Sequence, residues 1–285
     1  MPSNKKTTPT VLIATIHCIR EPWLEISLNG YKNSWSRQNS FNFQFINFYS
    51  NKPNRLAILI DRIIEDLRWN KGKLISYLIA YFLMIVLFPF RFYIPRVKEQ
   101  KVFQYNFGHK LFRIFFPELT STLRWKKLSI IKYFLKNPKF DYLVIANPSS
   151  YINLSLLEKE IKNSKTGINY GGMVKHSADS AFIVGSFILI SRKVASLMVA
   201  KRFLIPTHTI DDVAFGAFLT QFGIAPKEIK SVNLNSIDDL SALSESDLQK
   251  TIQFKVKALV ENQRIDSLIL VQLHNQLRNL KIITE

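Results

Sequence analysis

Cysteine occurs once in this chain of 285 residues, as Cys18. A single cysteine excludes a disulfide framework and a multi-cysteine zinc site, and it suits a reducing compartment. Glycine is also scarce, at nine residues, and neither GxGxxG nor GxxxxGKS/T occurs. Both standard glycine-rich phosphate loops are therefore absent. No internal repeat or low-complexity tract is present. Met1 to Pro9 is polar and basic and lacks the apolar stretch of a secretory signal, so residues 1–9 are expected to form a disordered tail. Acidic residues are few as well: 21 Asp and Glu stand against 39 Lys and Arg, a formal charge of +18.

What is present is apolar bulk. At 47% hydrophobic, with 22 phenylalanines, the chain can build a sizeable core. The basic excess is concentrated, since residues 51–140 hold eighteen Lys and Arg against five Asp and Glu. Such a bias suits an anionic partner: nucleic acid, anionic lipid or a phosphorylated substrate. Within it lies Leu74 to Phe90, seventeen residues without a charge, with Lys71 and Lys73 before it and Arg91, Arg96 and Lys98 after it. A spanning helix needs roughly 20 apolar residues, and positive charge should collect on one side. Here both flanks are basic, and Pro89 would kink or stop a helix. The favoured expectation is a segment that dips into one leaflet while anionic head groups hold its flanks. A true span and an ordinary core helix are the alternatives.

Phe140 to Asn153 organises the rest. Leu143 to Ala146 form a short apolar run suited to a strand buried on both faces, and Asn147-Pro148-Ser149-Ser150 end it in a polar turn. A helix should follow, with Ser155 and Glu158 spaced as a capping box and Leu154, Leu157 and Ile161 on one stripe. Open α/β sheets place ligands where a strand ends in such a turn. Other strands are expected over Thr10 to Ile16, Phe41 to Tyr49, Ala181 to Ser191 and Gln253 to Lys257. Helices are expected over Pro22 to Trp35, Leu56 to Leu67, Leu123 to Leu135, after Ser191, Val213 to Phe222, and Ile265 to Leu280. In the 123–135 helix, Leu128, Ile131 and Leu135 are apolar, with Lys126, Lys127, Lys132 and Lys136 around them. Gly185 interrupts its apolar run, which suggests a close approach by backbone or ligand. Gly223 suits a helix C-terminal cap.

Few residues could carry chemistry. Asp211 and Asp212 open a helix, where they could cap it and complement its dipole. One of them could instead face a cleft as general base, with Gly216 one turn on giving a neighbouring chain close access. Lys255 and Lys257 project together from a strand, either into solvent or towards a diphosphate. His176 and His208 have no partner at metal-ligand spacing. Cys18 reads as a small buried hydrophobe unless a base lies beside it.

Taken in order, these blocks resemble the β1,3-glycosyltransferases of family 31 and the related fringe proteins. In that family an Asp-rich metal motif is followed by an aromatic residue and then Val-Asn. Here Asn147-Pro148-Ser149 and then Tyr151-Ile152-Asn153 match it. Val184-Gly185-Ser186 through Ile190-Ser191-Arg192 match the glycine-containing strand. Asp211-Asp212-Val213-Ala214-Phe215-Gly216 match the block that carries the base, and Leu219 to Pro226 match the one after it. The resemblance spans about 140–226, and 10–60 loosely.

The resemblance implies an α/β fold of GT-A type, a Rossmann-like mixed sheet flanked by helices. Residues 10–285 would form a single domain, with 70–98 a hydrophobic, membrane-associating insertion. It implies an inverting transfer of a sugar from a nucleotide-sugar donor, UDP-linked by preference, to a hydroxyl of a glycan or lipid-linked acceptor. Asp212 would be the base, with Asp211 as its alternate, and Asn147, Ser149, Ser150 and Gly185 would meet the donor. The metal-binding aspartates are missing, and an amide with two hydroxyls does not supply the anionic oxygens a hard cation wants. A metal-independent enzyme without a cofactor is therefore expected. Lys255 and Lys257 would neutralise the diphosphate, with Lys175 and Arg264 behind them. The expected enzyme is of bacterial type and lies at the cytoplasmic face of a membrane, peripheral or monotopic. Two other classes stay open: a catalytically inactive binding protein of this fold, and a nucleic-acid binder, against which the uncharged run 74–90 speaks.

Overall fold

A computed structural model describes residues 8–38, 40, 42–51, 58–59, 61–62, 111–117, 122–164, 166–177, 180–206 and 209–284. The insertion of 70–98 and His208 lie outside these residues, as do most of the 1–9 tail and of the helix expected over 56–67. Among the described residues no helix is long and apolar enough to cross a membrane.

Among the described residues a seven-stranded sheet forms the centre, in the order β10-β6-β9-β4-β1-β2-β3. Its strands are β1 (Val11–Cys18), β2 (Phe43–Asn51), β3 (Leu111–Pro117), β4 (Tyr142–Ala146), β6 (Tyr170–Gly172), β9 (Phe187–Ser191) and β10 (Lys227–Glu228). β1, β2, β3 and β4 run parallel, whereas β9 lies antiparallel to both β4 and β6. The α/β class expected from sequence, a mixed sheet flanked by helices, is the one observed.

Alternation along each central strand divides the core in two. Val11, Ile13, Val144, Ala146, Phe187 and Leu189 join one buried cluster. Leu12, Ala14, Leu143, Ile145, Ile188 and Ile190 join the other, because successive side chains of a strand point to opposite faces. Covering the second face are α2 (Leu123–Leu135), α4 (Arg192–Ala200) and α5 (Asp211–Gln221). The first face takes α3 (Leu154–Asn163) and α8 (Asp266–Asn279). The expected 22–35 helix is there a short α1 (Trp23–Glu25), a π-helical Ile26–Tyr31 and a 3-10 turn Trp35–Arg37. Two further short helices, α6 (Ile237–Ser241) and α7 (Glu245–Lys250), follow α5.

Between the 147–149 turn and α3 lies a short strand that the sequence did not announce, β5 (Ser150–Ile152). It pairs antiparallel with β12 (Gln253–Val256), which pairs parallel with β11 (Ser231–Leu234). The expected Ser155–Glu158 capping box is not formed. β5 moves the helix start to Leu154, and Asn153 caps it by accepting from the Leu156 N–H at 3.1 Å. Glu158 instead accepts from the Asn42 amide at 2.6 Å.

The 181–191 run divides, as its glycine suggested, into β8 (Ala181–Ile183) and β9, and β8 pairs with β7 (Val174–His176). Ser191 caps α4 through Val194 N–H at 3.4 Å. At the far end of α5, Gly223 stands at φ +69° and closes the helix. Its N–H donates to Thr220 O, and Ile224 N–H to Leu219 O, both at 3.0 Å.

Candidate functional site

β1 is flanked by β2 on one side and β4 on the other, so the chain reverses its direction of winding between β1 and β4. Ligand crevices in open α/β sheets lie outside the carboxyl ends of strands at such a switch. A cleft of about 320 Å³ occupies that position. Ile16 and Cys18 reach it from the end of β1, and Asn147 and Pro148 from the end of β4. The β8–β9 turn supplies Gly185, the first turn of α5 supplies Asp211 and Asp212, and the second turn of α2 supplies Lys127.

Register explains the assembly. β9 starts opposite the end of β4, with Phe187 facing Ala146, so the 184–186 turn lies against Asn147. The Asn147 N–H donates to Ser186 O at 3.1 Å. β12 sets Lys255 opposite Ser150, which carries the lysine to the same mouth.

Asp211 and Asp212 are not helix caps. Neither side chain bonds a free N–H of α5, whose N-cap is Ile210. Their carboxylates converge on Lys127 of α2, whose Nζ lies 2.6 Å from Asp211 Oδ2 and 2.8 Å from Asp212 Oδ1. The second oxygen of Asp212 accepts the Gly185 N–H at 2.6 Å. Burial works against the Lys127 charge, but the two carboxylates outweigh it and leave the ammonium above its ordinary pKa. Asp212 is pushed up, first by burial and also by Asp211, against the pull of Lys127. A carboxyl shifted this way in a cleft is the pattern of an acid–base group.

Gly185 is required by the same contacts. A Cβ there would collide with the Asp212 carboxylate and come within 2.7 Å of Lys127 Nζ. The close approach expected at this glycine is thus made by an ion pair. At Gly216 a Cβ would meet Phe182 Cβ at 2.5 Å, which realises the close access expected for a neighbouring chain.

Of the remaining candidates, Lys255 lines the cleft half-buried. Its pKa is lowered by burial and then by the neighbouring charges of Lys175 and Lys257. Those two are exposed, and Lys257 lies just past the end of β12. Ser149 and Ser150 are buried and do not line the cleft. The Ser150 hydroxyl donates to Ser186 O at 2.8 Å. Arg264 does not line the cleft; it is paired with the buried Asp266 and stacked 4.9 Å from the ring of Trp23, which does line it. His176 is exposed on β7.

Lys127 is the charged cleft residue that sequence reasoning missed. The sequence pattern sets it among the lysines around an apolar stripe, yet both it and Lys126 are buried. Lys127 is four residues before Ile131 and seven before Phe134, so it shares their stripe. A lysine on an apolar stripe signals a buried anionic partner.

The donor set does not fit a divalent metal. Beside the end of β4 the cleft offers an amide and a proline, while the two carboxylates hold an ammonium between them. Hard cations take several oxygen ligands, many of them carboxylate. Among the described residues no group of three or more His, Cys, Asp or Glu could hold a metal.

No protein-family model matches the chain, and no curated protein matches it. Among solved structures it is similar to a glycosyltransferase involved in the glycosylation of the major capsid of PBCV-1, at 9% identity and a TM-score of 0.39. That match covers 93% of this chain and 98% of the other. A similarity of that size assigns neither family nor activity.

Proposed function

We propose that the cleft transfers a sugar from a nucleotide-sugar donor to a hydroxyl of a glycan or lipid-linked acceptor, with inversion and without a divalent metal. One observation carries the reading: Asp212, held by Lys127 and the Gly185 N–H, faces a cleft at the strand ends that also holds a half-buried lysine, Lys255. Asp212 takes the proton of the acceptor hydroxyl as its oxygen attacks the anomeric carbon. The bond from that carbon to the diphosphate breaks on the opposite side, and its electron pair leaves with the diphosphate oxygen. Lys255, with Lys175 and Lys257 near it, stabilises the charge that develops there. None of the three forms an ion pair among the described residues, so their charge is available to an anion.

The test is transfer and donor hydrolysis over a panel of nucleotide-sugars, with and without EDTA. Turnover that survives EDTA is expected; loss that manganese restores would overturn metal independence. Lys255→Ala is expected to raise donor KM about tenfold or more, the scale of a hydrogen bond to a charged group. An unchanged KM would remove the lysine from the donor site. A second reading, a binding protein without turnover, is favoured by the engagement of both Asp212 oxygens. Donor binding without hydrolysis or transfer across the panel would support it.

A further inference from the structure

Lys127 belongs to α2, far in sequence from the carboxylates it joins, and its side chain is only 5% exposed. It meets one oxygen of each aspartate, and the remaining oxygen of Asp212 is fixed by the Gly185 N–H. The Phe215 ring, one turn into α5, lies 6.0 Å from its Nζ. Gly185 leaves no room for a side chain against the same atoms. Such a cluster holds each charge in one place. The two aspartates are not equivalent within it, because the Asp212 side chain is 17% exposed and that of Asp211 only 7%.

We infer that Lys127 is a positioning residue, which keeps Asp211 as a fixed counter-ion and presents Asp212 to the cleft as the ionised base. The inference rests on the transferase reading of the cleft. Asp212 is faced by Lys127 from α2, by Asp211 beside it, by the Gly185 N–H from the β8–β9 turn, by Tyr170 from β6 and, farther off, by Lys255 from β12. Tyr170 is held neutral, its pKa pushed up by burial. Lys127 is thus the near charge that favours the ionised carboxylate. Without it two like charges share a buried site, and one takes a proton. The base would then be blocked at a pH where the native enzyme works.

The sign follows directly. A base works only when deprotonated, so the rate falls as pH drops through its pKa, and raising that pKa moves the acid limb to higher pH. Lys127→Met is expected to lower turnover about tenfold or more near neutrality and to recover as pH rises, the limb shifting up by about one unit or more. Lys127→Arg should keep the native limb. The double variant K127M/D211N carries the same net charge as the native cluster, which spares it the unbalanced burial that threatens folding of K127M. Its limb should return to near the native position while kcat stays low and donor KM is unchanged, because orientation alone is lost. A K127M limb that does not move, or full kcat in the double variant, would overturn the proposal.

A readout without turnover separates the two readings. Carboxyl-labelled aspartate NMR should show a resonance that titrates at higher pH in K127M than in the native protein. Identical titrations refute the role of Lys127 even if transfer is observed. Absence of transfer by the native protein refutes the transferase reading while leaving the titration to decide the other.

Discussion

Asp212→Asn is expected to lower sugar transfer by about 10²- to 10⁴-fold, the usual contribution of a positioned general base, while donor affinity stays within about twofold. The substitution keeps the shape of the side chain. Its amide oxygen can still accept the Gly185 N–H, and Asp211 still neutralises Lys127. What it removes is a lone pair basic enough to take a proton. An enzyme with this base should also lose activity on acidification above the ordinary carboxylate value of 3.8, since burial and Asp211 raise the Asp212 pKa. Single-turnover rates and donor titrations on the same preparation separate chemistry from binding. A fully active variant would strip Asp212 of the role and leave Asp211 as the alternate.

The central strands were legible in sequence because their signal is local. Leu143 to Ala146, Val11 to Ala14 and Phe187 to Ile190 are short apolar runs, and all are buried on both faces. The Asp211-Asp212 pair, Gly185, Gly216 and Gly223 also stand out in the sequence, since each breaks the chemistry of its own segment. What could not be read was which segments meet. Gly185 signalled a close approach, but its partner is a carboxylate 27 residues on, delivered by α5. β5 is only three residues long and exists because β12 pairs with it, so its own sequence says little. That pairing spends Ser149 and Ser150 on the interior, although their place in the turn suggested contact with a ligand. Lys127 failed for the opposite reason. Its spacing from Ile131 and Phe134 is readable, but the same helix carries Lys126, Lys127, Lys132 and Lys136, and nothing local tells the two buried ones from the two exposed ones.

Gly185→Ala is expected to damage folding and turnover together, unlike the change at Asp212. The added methyl would overlap both Asp212 oxygens and approach Lys127 Nζ at 2.7 Å, and none of these atoms ends a freely moving surface chain. The strain is steric, because Gly185 is not among the glycines at positive φ. For the carboxylate to yield, it must leave Lys127, the Gly185 N–H or both. Breaking a buried, hydrogen-bonded ion pair costs about 3–5 kcal/mol. Moving the β8–β9 turn instead would pull Ser186 O away from the Asn147 N–H and the Ser150 hydroxyl, loosening the end of β4. Either relaxation disturbs the cleft. A loss of about 3 kcal/mol or more in denaturant unfolding is expected, together with a fall in kcat that raising the pH does not restore, since the fault lies in geometry rather than in a proton. Ala at this position with native stability and native turnover would mean that the ion pair tolerates displacement, and that the shape of the cleft does not depend on it.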